Sequence, residues 1–580
     1  MWLINTTSLV LEFIEDPDAC IYAILSHTWG EDEVSFQDMA DLERARKKKG
    51  FSKIERTCQL ARDRNIEYAW VDTCCIDKSS SAELTEAINS MFRWYKRSHI
   101  CFVFLSDLLS FERKFFAHYL PRCRWFTRGW TLQELIASRE IEFYDRGWNL
   151  IGTNDSLLNL LVQITEIDVH VLNDSDLLQT VPVARRMSWA ASRQTSRVED
   201  LAYCLFGIFD VHLPLIYGEG QKAFIRLQEA IAQEKNDLSL FAWISADENL
   251  LPLHRRREFR GILAESPSEF KDCSNLSTIS DPAILPAQVS ITNQGFDIKD
   301  RLSASIGEYY LNLDCNIKTA GKDILDTEQT IIIKLVRTAH AYVRHDFSRG
   351  FSTIYRNSLR RSAAPRLPIS KTITQAESQI IKARLRHRIS IAVVNIFSGI
   401  QCSIQMRPQH LWDQSSSTFI TDGYEAFTGI VEVKTRGRRG MKYNVSIVDV
   451  SSFLIFGYAA GNFGVAGVDN EPRKQLVPWA GIFAIDDKDV SSHTVPMFDS
   501  EETFQWIPNA IHKVREIVLA RVDSGRSLPT VCELGTFRLD NHSPRVSVQF
   551  QSERAIRAVL STERDESPEG SIYRIALSLE

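Results

Sequence analysis

The sequence predicts an α/β fold: a flavodoxin-like parallel-sheet domain over residues 1–150, its helical extension over 151–250, and a β-rich region of sandwich or barrel type over 251–580. Three observations carry this. Near-continuous apolar runs alternate with stretches of helical spacing through the first 150 residues, as crossover-connected parallel strands require. Helical spacing then continues without strands to about residue 245. Beyond about residue 255, short alternating runs are separated by turn residues.

Taken in order, Leu9 to Ile14 is a short β-rich opening segment, and Ile21-Tyr22-Ala23-Ile24-Leu25 is the first buried strand, ending in Ser26-His27-Thr28-Trp29-Gly30. Phe51, Ile54, Cys58 and Ala61 recur at helical spacing. The second strand, Tyr68 to Val71, runs into Asp72. Ser80 and Glu83 have capping-box spacing ahead of the apolar stripe Leu84, Ala87, Ile88, Met91, Trp94 and Tyr95. Ile100 to Leu105 is the third strand, ending in Ser106-Asp107. A helix opening at Arg128-Gly129-Trp130-Thr131-Leu132-Gln133-Glu134-Leu135 follows, and Ile141 to Tyr144 is the fourth strand. Arg197 to Phe206 reads as an amphipathic helix stopped near Gly207, and Ala223, Phe224, Leu227, Ala230 and Ile231 mark another. Strands of the β-rich region are expected at Gln288–Thr292, Tyr309–Leu313, Thr330–Val336, Ile389–Ile396, Tyr443–Val450, Val546–Phe550 and Ile572–Leu577. Arg356 to Arg388, with many Lys and Arg against a single Glu, reads as a basic loop or linker, and Arg436 to Gly440 as a hairpin turn.

At 580 residues the chain exceeds one core and divides into domains. A net charge of −6 gives no general reason to bind nucleic acid or an anionic membrane. The start has no basic n-region, and the best apolar run, Phe453 to Val468, is too short and Gly-rich for a membrane span. Eleven cysteines without a CxxC pair suit reduced thiols rather than a disulfide framework or a zinc site, and a cytoplasmic location is expected.

Polar residues stand just past the strand ends: Ser26 and His27, Asp72, Ser106 and Asp107, Asp145. Open parallel sheets bind ligands there, where strand order reverses. A 2-1-3-4 order would bring the loop Ser26 to Gly30 beside Ser106 and the helix that bears Glu134. On that helix Trp130 and Glu134 are four residues apart, so they fall on one face. An aromatic can hold a flat ring and a carboxylate can meet a developing cation, while Arg122, Arg124 and Arg128 could cradle a pyrophosphate. The plainer reading puts Trp130 in the core, Glu134 in a surface ion pair and the arginines in solvent. His27 reads equally as pocket lining or as a hydrogen-bonded structural residue. Trp29 reads as a stacking platform or as core. Asp72 and Asp77 read as ribose or protomer contacts, or as caps; Cys74-Cys75 as redox-active, or as small buried residues. No GxGxxG or P-loop is present, since Gly218-Glu219-Gly220-Gln221-Lys222 is too short and lacks the Ser/Thr.

Three segments carry a resemblance: Tyr22 to Gly30, Trp70-Val71-Asp72-Thr73-Cys74-Cys75-Ile76-Asp77, and Arg128 to Leu135. In order and spacing they resemble the signature blocks of the fungal HET (heterokaryon incompatibility) domain. The opening Leu3-Ile4-Asn5-Thr6-Thr7 is also typical. The likeness continues through Asp210-Val211-His212-Leu213-Pro214-Leu215-Ile216-Tyr217-Gly218-Glu219-Gly220 and Arg226-Leu227-Gln228-Glu229, as in the HET-E/HET-D type, so it covers roughly the first 245 residues. Proteins of this family trigger cell death when unlike fungal cells fuse. The HET domain is in turn similar to the TIR domain, whose sheet order is 2-1-3-4-5 and many of whose members are NAD glycohydrolases with a glutamate in a Trp-x-x-x-Glu segment. Trp130 and Glu134 match that segment. The resemblance therefore implies Glu134 as catalytic carboxylate, with Ser26, His27, Trp29, Gly30, Asp72, Ser106, Arg128 and Trp130 binding substrate. It implies NAD(P) as substrate with no further cofactor or metal, a homo-oligomer on activation, and an upstream sensor protein. By position, the β-rich half would sense a partner or restrain the first domain. A non-enzymatic adaptor working through protein contacts and a nucleotide sensor without turnover are the rival expectations.

Overall fold

A computed structural model of the chain describes residues 1–109, 116–245, 249–252, 256–279, 287–305, 308–317, 329–345, 347–348, 350–355, 366–385, 387–394, 401–420, 426–441, 444–461, 475–485, 536–538, 545–551, 557–567 and 570–579. Seven strands of the N-terminal part form one sheet: β1 (Trp2–Asn5), β2 (Leu11–Phe13), β3 (Tyr22–His27), β4 (Tyr68–Trp70), β5 (Ile100–Phe104), β6 (Ile141–Tyr144) and β7 (Leu150–Thr153), in the order β2-β1-β4-β3-β5-β6-β7. The central four, β4-β3-β5-β6, are parallel, so the second, first, third and fourth predicted strands stand in the expected 2-1-3-4 order. All six residues of β3 are buried, as a strand covered on both faces must be.

The expectation is a parallel sheet; the sheet is mixed. β1 pairs antiparallel with both β2 and β4, and β7 pairs antiparallel with β6. For the β1–β2 and β6–β7 pairs the reason is local, because short connections can join only antiparallel neighbours. Between β6 and β7 the Asp145 carboxylate accepts the Gly147 and Asn149 amides, each at 2.9 Å, which closes that turn. The sheet thus runs to residue 153, and Thr153 begins the capping box of the next helix.

The crossover helices follow the apolar stripes. Helix α1 (Phe51–Arg62) packs on β3 and β4. In helix α2 (Ser81–Arg97), Ser80 accepts the Glu83 amide at 3.3 Å, while the Glu83 carboxylate reaches past the cap to the Asp77 amide at 2.9 Å. The helix expected from Arg128 starts later, as α3 (Thr131–Ala137). Arg128 is extended, at φ −81° and ψ 135°, because its neighbours pair with another segment: the Gly129 amide donates to the Gln194 carbonyl and the Gln194 amide to the Thr127 carbonyl.

The extension contains α4 (Asn154–Thr165), α5 (Asp200–Tyr203), α6 (Phe206–Phe209) and α7 (Lys222–Glu234). The single helix expected to stop near Gly207 is two short ones, and Gly207 lies inside the second. A Cβ there would stand 2.1 Å from Phe92 Cβ, so glycine is required by the close approach of α2, not as a stop signal.

Each of the seven expected C-terminal strand segments coincides with a strand, at Val289–Ile291, Glu308–Asn312, Gln329–Arg337, His387–Val394, Asn444–Gly461, Arg545–Gln551 and Gly570–Leu579. The basic segment is corrected in part. Residues 356–365 lie outside the described residues, but Ile369 is fully buried and exchanges backbone hydrogen bonds with Phe296, and Gln375–Leu385 is a helix. Arg436 to Gly440 is no turn either. It lies within the strand Ala426–Met441, whose ladder closes at Met441 against Asn444. Among the described residues no helix is long and apolar enough to cross a membrane.

Candidate active site

Helix α3 brings Glu134 inward, beneath the C-terminal end of β3. The Ser26 hydroxyl, at that strand end, donates to Glu134 Oε2 and accepts the Trp125 indole N–H at 2.7 Å. The Tyr95 hydroxyl, from α2, also hydrogen-bonds Glu134 and donates to the Leu25 carbonyl at 3.1 Å. Burial favours the protonated acid. At 6% exposure, desolvation raises Glu134 to about 8, the Asp72 charge adds to the rise, and the bonds from Ser26 and Tyr95 and the Arg193 charge only limit it. The plainer expectation of a surface ion pair is not what the fold holds.

Trp130 and Glu134 diverge despite their spacing. Trp130 stands just ahead of the helix, and its indole hydrogen-bonds Asp200 on α5, which also accepts the Tyr217 hydroxyl at 3.1 Å. Arg128 donates to the Ser196 hydroxyl at 3.0 Å. The extension therefore holds the approach to α3 through three consecutive side chains or amides, at Arg128, Gly129 and Trp130. Gly129 allows it, since a Cβ there would meet Thr195 Cγ2 at 2.5 Å. Arg122 and Arg124 are exposed.

The remaining predicted residues form a second group at the ends of β3 and β4. His27 is buried between two carboxylates, with Nδ1 3.7 Å from Asp72 Oδ1 and Nε2 3.9 Å from Glu33 Oε1, and among the described residues neither nitrogen has a hydrogen-bond partner. Desolvation, reinforced by Lys53 and Lys78, lowers His27 to about 3 and keeps the ring neutral. Asp72 accepts the Trp29 indole N–H at 2.7 Å, and burial pushes its carboxyl up. Trp29 is 42% exposed, and the Lys78 ammonium lies 3.8 Å from its ring centroid, a cation–π contact. The Gly30 amide donates to Glu33 at 2.7 Å, and Glu33 also holds Lys53. Ser106 is half-buried past the end of β5; among the described residues the contacts that build either group do not run through it. Nor does any set of three or more His, Cys, Asp or Glu gather for a metal among the described residues.

The family model described as "Heterokaryon incompatibility protein (HET)" matches residues 22–113, the stretch from β3 through α2 and β5. Over 226 residues the chain is 49% identical to the vegetative incompatibility protein HET-E-1 of Podospora anserina, a match that covers 38% of this chain and 16% of that one. The chain carries a HET domain. It spans about a sixth of the length of that curated relative. No solved structure matches it.

Within the HET domain, the order of the parallel strands sets the two groups side by side, one carried by Ser26 and the other by His27, adjacent residues of β3 whose side chains leave opposite faces of the strand. The Ser26 side gathers Glu134, Tyr95 and Trp125; the His27 side gathers Asp72, Glu33 and the Trp29 shelf. Sequence reasoning missed Tyr95, Arg193 and Asp200 as parts of this arrangement. Tyr95 stands in the apolar stripe of α2, which gives its hydroxyl no signal of its own. Arg193 and Asp200 have no local signal, for they act on residues about 60 to 70 positions away.

Proposed function

We propose that this protein is a cytoplasmic fungal incompatibility effector of cell death whose HET domain is TIR-like and hydrolyses the nicotinamide–ribose bond of NAD(P) when assembled. The observation that carries this reading is Glu134, buried at the strand ends of a 2-1-3-4 parallel core and hydrogen-bonded to Ser26 rather than held by a surface cation. In the reaction the C1′–N bond breaks and its electron pair passes to the pyridinium nitrogen, so nicotinamide leaves neutral and needs no general acid. The oxocarbenium-like ribose is met by the Glu134 carboxylate, water adds at C1′, and its proton goes to solvent.

A carboxyl at about 8 is mostly protonated at pH 7. The pyridinium of bound NAD is a positive charge, and its arrival would favour ionisation of Glu134. Substrate binding and deprotonation are then one linked event. Assembly into a homo-oligomer, triggered by an upstream sensor, would open the closed resting site.

Nicotinamide release from NAD and from NADP by the full chain is the test, at dilute and at crowded, assembly-promoting concentrations, beside Glu134→Gln and Glu134→Ala. Both variants are expected to lose at least about a hundredfold in rate, the size of a lost electrostatic stabiliser. Turnover indifferent to either substitution removes Glu134 from the mechanism. The 6% exposure of Glu134 favours one second reading, a non-enzymatic adaptor. Absence of turnover in every condition, with cell death retained by Glu134→Gln, is its signature.

A further inference from the structure

Arg193 comes from the helical extension and is buried to 6% exposure. Its Nη1 donates to the Arg128 carbonyl at 2.8 Å and to the Thr131 hydroxyl at 3.0 Å, and its Nε to the Trp189 carbonyl at 3.2 Å. Thr131 is the first residue of α3, and its hydroxyl in turn donates back toward the Trp125 and Arg128 carbonyls. The guanidinium is thus seated on the first turn of the helix that carries Glu134, one turn from the carboxyl.

A structural role alone accounts poorly for a full charge at this place. Neutral carbonyl and hydroxyl acceptors can be served by an amide side chain at far lower desolvation cost. The amides of a helix's first turn present positive charge of their own, so a cation beside them is unfavourable twice over. The groups that face Glu134 from the packed elements are Ser26 on β3, Tyr95 on α2, Asp72 after β4, Cys101 on β5 and Arg193. Of these only Arg193 is cationic. Ser26 and Tyr95 are neutral, Asp72 repels, and the buried Cys101 thiol is pushed well above its ordinary range.

We infer that Arg193 is a positioning residue for Glu134: it pins the first turn of α3 and supplies the one buried positive charge against which the carboxyl can ionise. The inference rests on the reading of Glu134 as the acting carboxylate. It makes residues 189–196 of the extension part of the working site, beyond the α/β sheet itself.

The Glu134 ionisation midpoint can be read without turnover, on the full chain with no nucleotide, from the infrared carboxyl difference between each protein and its Glu134→Gln counterpart. In Arg193→Gln the midpoint is expected to rise by roughly one pH unit. Arg193→Lys, which restores the charge, is expected to return most of that shift. Thr131→Val, which removes only the hydroxyl seat, should move the midpoint in the same direction by less. An unmoved midpoint in folded Arg193→Gln overturns the inference, as does Arg193→Lys matching Arg193→Gln. If Arg193→Gln fails to fold by circular dichroism, an unmoved midpoint in Thr131→Val overturns it instead. NAD turnover measured in parallel separates the two ideas. A shifted midpoint without turnover in the wild type supports the Arg193 role and defeats the hydrolase, whereas turnover with an unmoved midpoint does the reverse.

Discussion

Burial acts on Glu134 and His27 in opposite directions, raising the first to about 8 and lowering the second to about 3, although Ser26 and His27 are adjacent on β3. Each shift ties stability to pH. Between its ordinary value of 4.5 and about 8, folded Glu134 keeps a proton that the unfolded chain has lost, so stability falls as pH rises through that window. Glu134→Gln has no charge to desolvate. Its melting temperature is expected to exceed that of the wild type above pH 8, by an amount equivalent to a few kcal/mol at most, roughly the full shift, and to converge on it near pH 4.5. Melts in which the two proteins stay parallel from pH 5 to 9 would show that Glu134 is not buried in solution. For His27 the unfolded chain binds the extra proton between 6.5 and about 3, so stability is fully present above 6.5 and is lost as pH falls through that range. His27→Gln should flatten this acid limb in the same melts, and an unchanged limb would assign it to other groups.

At the scale of elements, close backbone approach decides more than propensity. Alanine in place of a helical glycine ordinarily stabilises by about 1 kcal/mol. At Gly207 the new Cβ would lie 2.1 Å from Phe92 Cβ, so α6 and α2 must part. Gly207→Ala is expected to cost about 1–3 kcal/mol in urea unfolding. Phe92→Gly in the same chain, which removes that Cβ, should relieve part of that cost, leaving the double variant less destabilised than the sum of the singles. Strict additivity would place the strain elsewhere. The same logic explains what the sequence disclosed. Strands β3, β5 and β6 and helices α1 and α2 are legible because period and burial are local properties, whereas the 2-1-3-4 order is a conditional expectation that the resemblance to the TIR sheet also implies. The start of α3 is not legible, because Gln194 pulls Thr127 to Gly129 into an extended pairing that no residue near Arg128 announces. Likewise Arg436 to Gly440 carries turn composition but lies within a long antiparallel ladder, where its partners from Val445 to Asp449 fix it extended.

At the scale of the whole molecule, the HET region and the β-rich half meet at a cluster that no local pattern announces. Arg344 and Arg260 are direct partners across two antiparallel strands, a like-charge pairing that by itself destabilises. Both guanidinium groups lie against the Trp243 ring, at 3.8 and 4.2 Å from its centroid, and Glu269 pairs with Arg260. Arg344 also donates to the Phe241 and Trp243 carbonyls, and the Trp243 indole donates to the Ile262 carbonyl at 2.7 Å. The end of the extension is thereby held by the sheet of the β-rich half, the geometry through which that half could restrain the first domain. Arg344→Met keeps the stem but leaves two buried carbonyls without donors, at about 1–3 kcal/mol each. Hydrogen exchange at residues 241–245 and 259–263 is expected to accelerate tenfold or more, with β3 and β5 unchanged. Acceleration that spread equally through β3 would make the junction part of a single cooperative unit, and restraint by local release would then be excluded. Acceleration confined to the junction, together with raised nicotinamide release, would identify this contact as the place where the β-rich half holds the HET domain closed.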